Sequence, residues 1–136
     1  MAAPDDLKTK GIMNQTVSYR ERKKYEIFDS GHALLYLNER PAEIADEETG
    51  EMRSGYSYTG DMADGGTLVE AAGVTAENRR DKFIAGLIGK SYDMDAQVAV
   101  LANGADTPEH AAELAAFASA RAESKRQVDE MLARNI

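Results

Sequence analysis

Cysteine is absent from the 136 residues, which removes disulfide staples, thiolate nucleophiles, cysteine-ligated zinc and iron–sulfur clusters from consideration. There are only two histidines, His32 and His110. They lie too far apart in sequence for a paired-imidazole metal motif, and HExxH spacing does not occur. Proline is scarce and tryptophan missing. No apolar run approaches the roughly 20 residues that a membrane-spanning helix needs, and Met1–Asn14 lacks the apolar centre of a signal peptide. These lacks predict a cytoplasmic protein with no signal peptide and no membrane contact.

Clustered basic charge is also missing. The chain carries a net −8, and its only basic run, Arg20-Glu21-Arg22-Lys23-Lys24, is short and isolated. Affinity for phosphate backbones comes from grouped Lys and Arg, so nucleic acid is not an expected partner. Most of the negative charge falls in residues 39–64, where eight acids face two arginines.

What is present divides near Thr75. Five of the six tyrosines precede it, among β-branched and alternating residues, whereas fourteen alanines follow it in stretches of helical period. The first pattern belongs to strands and the second to helices, so the fold class is α+β. The reading is a small N-terminal antiparallel sheet of two hairpins, then two short helices and one long C-terminal helix. Residues 1–19 are expected to form a mobile arm and 20–136 a single domain, with strands over 20–72 and helices over 75–134. One hairpin joins Lys24–Phe28 to His32–Leu37 through Asp29-Ser30-Gly31, where Gly31 can take the left-handed position of a bulged turn. The other joins Ala42–Asp46 to Met52–Thr59. Thr67–Ala71 is a short strand or the approach to the helices.

Thr75 is the expected cap of a helix with Phe83, Ile84, Leu87 and Ile88 on one stripe. Asp93 caps the next, in which Met94, Val98 and Leu101 share a face and Gly104 supplies the stop. Thr107-Pro108 opens the last. There Leu114, Phe117, Arg121, Ser124, Val128 and Met131 follow steps of three and four, a heptad seam with a polar middle. That seam predicts contact with a protein partner or self-association, through Leu114, Phe117, Arg121, Val128 and Met131.

Other candidate sites are sparser. Tyr56 and Tyr58 alternate onto one strand face and could stack a ligand. Asp61 and Asp64, with the 46–51 acids, could offer oxygens to Ca²⁺, but their spacing misses the alternating ladder such loops use, so no metal and no cofactor is expected. Asp29, Ser30 and His32 sit within four residues as ordinary turn chemistry, since catalytic triads are assembled from separated segments. No phosphate-cradling glycine motif occurs, and no catalytic residue is assigned.

The run Arg79-Arg80-Asp81-Lys82-Phe83-Ile84-Ala85-Gly86-Leu87-Ile88, with Lys90–Gln97 and Ala99–Asn103, resembles the helical C-terminal part of small uncharacterised phage- and prophage-encoded proteins of Bacteroides-type gut bacteria. Pro41–Ile44, Glu48–Glu51 and Gly55–Gly60 are similar to the strand segment preceding it in that group. The resemblance spans about residues 40–134. It implies a non-enzymatic structural or assembly accessory protein, tail-associated, that works by binding. The alternative from residue chemistry is a small cytosolic enzyme or a ligand- or Ca²⁺-binding domain using the 46–64 loops with Tyr56 and Tyr58.

Overall fold

The computed structural model describes residues 14–136. Six strands precede three helices: β1 (Gln15–Tyr19), β2 (Tyr25–Asp29), β3 (His32–Leu35), β4 (Arg40–Ala45), β5 (Met52–Gly60), β6 (Thr67–Glu70), α1 (Arg79–Gly89), α2 (Met94–Asn103) and α3 (Pro108–Leu132). The strands form two three-stranded sheets, ordered β1-β5-β4 and β2-β3-β6. The class is α+β, with strands first and a long C-terminal helix. Two compact units emerge where one domain was expected. The first comprises residues up to Glu26, Leu34–Leu68 and Arg134–Ile136; the second comprises Ile27–Ala33 and Val69–Ala133.

The expected arm is partly a strand. Residues 1–13 lie outside the described residues, but Gln15–Tyr19 forms β1, antiparallel to β5 with Val17 opposite Tyr58 and Tyr19 opposite Tyr56. β5 is thus the central strand, and β4 flanks it on the other side with Pro41 opposite Tyr56. Directly opposed residues share a face, so this register gathers Tyr19, Tyr56 and Tyr58 onto one side. Leu34, Tyr36 and Tyr58 are buried at the centre of the resulting cluster, and Tyr19, Tyr56, Met62 and Leu68 pack around them. The Tyr36 and Tyr58 rings meet edge to face at 5.7 Å, a favoured arrangement for aromatic quadrupoles. Close backbone approach closes the cluster's edge: a Cβ on Gly60 would lie 2.2 Å from the Gly66 carbonyl oxygen, so only glycine fits there.

The turns use different chemistry from that expected at one point. Gly31 is not left-handed; the β2–β3 turn is held by the Asp29 carboxylate, which accepts from the Gly31 N–H at 2.9 Å and lies 2.8 Å from His32 Nδ1. In the β4–β5 loop Asp46 accepts from the Glu48 and Thr49 N–H groups, and Gly50 takes the positive φ, +76°. Those two backbone bonds hold the Asp46 carboxyl below its ordinary range.

In the second unit α1 starts three residues later than Thr75 suggests. Thr75 and Asn78 instead exchange reciprocal bonds, each side chain accepting from the other's N–H, and helical geometry follows Asn78. Asp93 caps α2 by accepting from the Ala96 N–H, and Gly104 ends it. Thr107 caps α3 with Pro108 at its first turn. α1 buries Phe83, Ile84 and Ile88, while Leu87 is half-buried. Tyr92 meets Phe117 edge to face at 4.9 Å, and Arg80 clamps Asp129 with two bonds of 2.6 and 3.0 Å.

Two glycines of α1 test this packing with opposite signs. A Cβ at Gly86 would lie 2.5 Å from the Glu70 carbonyl oxygen and 3.0 Å from Val69 Cβ, whereas one at Gly89 meets nothing within 4 Å. Alanine is worth roughly 1 kcal/mol over glycine inside a helix. Gly89→Ala should therefore raise the denaturation midpoint, by somewhat less than that at the helix end. Gly86→Ala should lower it despite the better propensity. Equal stabilisation by both in urea melts would show that α1 does not approach β6 as described.

Candidate contact surface

The polar side chains of the first unit are largely spent on one another. Arg134, just beyond α3, has a fully buried side chain. Its Nη1 donates to the carbonyls of Tyr36 at 2.6 Å and Lys23 at 2.9 Å, its Nε lies 3.6 Å from Glu39 Oε2, and its guanidinium stands 5.3 Å from the Tyr58 ring centre. Glu39 also accepts a fork of bonds from Arg22 and one from the Tyr58 hydroxyl at 2.7 Å. That hydroxyl in turn accepts from the Lys23 N–H at 2.8 Å. Burial pushes the Tyr58 phenol up to about 12, so it stays a donor. Burial works against ionised Glu39, but the bonds from Arg22 and Tyr58 and the charge of Arg134 outweigh it and hold the carboxyl below its usual range.

A second set joins Tyr36, whose hydroxyl donates to Asp64 Oδ2 at 2.8 Å. Burial, then that bond, raises the Tyr36 phenol. Asp64 Oδ1 accepts from the Gly66 N–H and Asp61 from the Leu68 N–H. Both aspartates are thus loop-closing acceptors, and among the described residues no group of three or more acids or histidines could hold a metal ion. The two tyrosines proposed to stack a ligand share a face but differ in access. Tyr58 is wholly buried, while Tyr56 is half-buried, with the Arg22 guanidinium 5.6 Å from its ring centre. An open groove of about 370 Å³ runs beside Tyr56, bordered by Arg20, Glu39 and Arg40. The histidines serve turns: His32 contacts Asp29, and His110 contacts Asp106.

The heptad seam on α3 is covered by the chain itself. Phe117, Val128 and Met131 are buried, as is Ser124. Leu114 is half-buried, and only Arg121 of the expected contact set is exposed. The apolar positions of that periodic stripe are therefore core, because α1 and α2 both pack along α3.

Exposed apolar surface lies elsewhere. α2 buries none of its residues, and Met94, Val98 and Leu101 are 69%, 56% and 61% exposed. On β2, the end strand of its sheet, Ile27 and Phe28 are also more than half exposed. All five belong to the second unit. Beside Met94 an open groove of about 440 Å³ is lined by Ile84 and Ile88 and by the charged Arg80, Asp81, Arg121 and Lys125. The sequence showed the α2 stripe but not that it would remain uncovered; Arg134 carried no signal at all.

Comparison with protein-family models, curated proteins and solved structures returns no match to this chain.

Two variants probe the buried network. Arg134→Met leaves Glu39 short of a charge partner and two carbonyls without their donor, and should cost about 3–5 kcal/mol, as breaking a buried pair does. Glu39 has a lowered pKa when folded, so its contribution is present above the ordinary glutamate value and is lost as the pH falls through the lower folded value. Glu39→Gln should consequently be less stable near neutrality and show a flatter acid limb in denaturant melts between pH 7 and 2. An unchanged acid limb would mean that Glu39 is not the paired group described.

Proposed function

We propose that this chain is a non-enzymatic protein that acts by protein–protein contact, with the α2 face of its helical unit as the contact surface. The observation that carries the reading is a ten-residue helix with no buried residue and three large apolar side chains in one exposed row. Such rows on folded surfaces mark interaction sites more often than chance exposure. The reading is also supported by the first unit, where Tyr36, Tyr58, Glu39, Asp64 and Arg134 are engaged in internal bonds.

The setting we propose is a phage- or prophage-type particle, tail-associated, in which the chain serves as a structural or assembly accessory. The resemblance of residues 40–134 motivates it. The alternative, a ligand-binding domain, has the groove beside Tyr56 as its support.

The triple variant Met94→Gln, Val98→Gln, Leu101→Gln tests the reading. Exposed substitutions change stability by about 0.5 kcal/mol or less each, so the variant should melt within a few degrees of the wild type. Used as bait against extract of the native source, it should lose the partners that the wild type retains. Unfolding of the variant would place the stripe in the core, and unchanged partner recovery would move the contact elsewhere.

A further inference from the structure

We infer that the space filled by Arg134 is a guanidinium-binding site in its own right. The first unit closes it with the chain's own side chain, and an arginine side chain supplied by another chain takes the same place when that of Arg134 is withdrawn. The inference goes beyond the contact reading above and does not depend on it.

The acceptors of the site match this group. Arg134 Nη1 donates to two backbone carbonyls, those of Tyr36 at 2.6 Å and Lys23 at 2.9 Å. Its Nε lies 3.6 Å from Glu39 Oε2, and its Cζ stands 5.3 Å from the Tyr58 ring centre. A planar fork of donors that also stacks on aromatic faces can meet all of these at once, whereas an ammonium is a compact, strongly hydrated point charge. Arg22 already balances the Glu39 carboxylate with a fork of its own, so a second cation is recognised here by hydrogen-bond geometry as well as by charge.

The walls are held by bonds in which Arg134 takes no part. Glu39 is fixed by Arg22 and by the Tyr58 hydroxyl at 2.7 Å, that hydroxyl accepts from the Lys23 N–H at 2.8 Å, and the Tyr36 N–H donates to the Lys24 carbonyl at 3.0 Å. Deleting the Arg134 side chain therefore leaves its acceptors tied to one another around the space it occupied.

The occupant comes from a stretch otherwise open to solvent. Arg134–Ile136 belongs to the first unit, whereas Val69–Ala133 belongs to the second. Ala133 and Asn135 are exposed and Ile136 is 63% exposed, so between 133 and 136 only Arg134 is buried. Lys24 Nζ adds a bond of 3.2 Å to the Arg134 carbonyl, a contact that any peptide backbone can provide. An arginine flanked by exposed residues on another chain offers the same groups.

Chemical rescue of the full chain tests this. Arg134→Ala removes the fragment that N-ethylguanidinium supplies, and a ligand that binds the folded form raises stability with its concentration above Kd. The variant should melt below the wild type, and millimolar ethylguanidinium should raise its midpoint along a saturating curve while leaving that of the wild type in place. Propylammonium, of like charge, should not. A capped peptide of residues 133–136 should act as ethylguanidinium does, and the same peptide with alanine for arginine should not. Adding Glu39→Gln to the variant should weaken the rescue about tenfold or more, as losing a charge-assisted bond does. Arg134→Lys, which fills the space, should give no response. If Arg134→Ala does not fold unaided, ethylguanidinium should fold it. No rescue by ethylguanidinium or by the arginine peptide would overturn the inference, as would equal rescue by propylammonium or an equal response of Arg134→Lys.

Discussion

A guanidinium buried without solvent is the constraint on which the first unit depends. Removing Arg134 from water costs several kcal/mol unless charge and hydrogen bonds replace hydration. Here the replacements come from three separate stretches of chain: the Lys23 carbonyl, the Tyr36 carbonyl with the Glu39 carboxylate, and the Tyr58 ring. The residues around those groups are also bonded to one another. The Tyr58 hydroxyl accepts from the Lys23 N–H and donates to Glu39, and the Tyr36 N–H donates to the Lys24 carbonyl. A shift of β5 by one residue would turn Tyr58 to the other face, taking its ring from the Arg134 guanidinium, a hydrogen bond from the Glu39 carboxylate and the acceptor from the Lys23 N–H. The network therefore specifies register as well as contributing stability.

That arrangement determines what is left for function. One acid from the strongly negative 39–64 window lies inside, balanced by Arg22 and Arg134, and the loop acids Asp46, Asp61 and Asp64 are engaged by backbone N–H groups. The chemistry that a sequence reader would assign to metal or substrate is thus used to close turns and hold strands. Exposed large apolar side chains gather on α2 and at Ile27 and Phe28 of β2, in the other unit, with Met52 and Ile136 exposed in the first.

Local chemistry was legible in the chain. Asp93 before Met94, Thr107-Pro108 and Gly104 announce helix ends because a cap bonds within three residues, and both hairpins were legible from alternation and turn residues. What depends on distant segments was not. Gln-Thr-Val-Ser-Tyr reads as a polar arm until β5, some forty residues on, supplies its partner. Arg134 reads as a solvated residue at a helix end, because nothing near it announces Glu39. Periodicity identified three apolar stripes on the helices but could not say which of them the fold would cover. The α3 stripe, expected to meet a partner, is core; the α2 stripe of Met94, Val98 and Leu101 is exposed.

Hydrogen exchange tests the central claim, that the Arg134 network is closed inside while the α2 face is left open for contact. Peptides covering 52–60 should exchange slowly, since β5 is paired on both sides and opens only with the unit. Peptides covering 94–103 should be weakly protected, since α2 buries none of its residues. Strong protection of 94–103 together with rapid exchange in 52–60 would contradict the account.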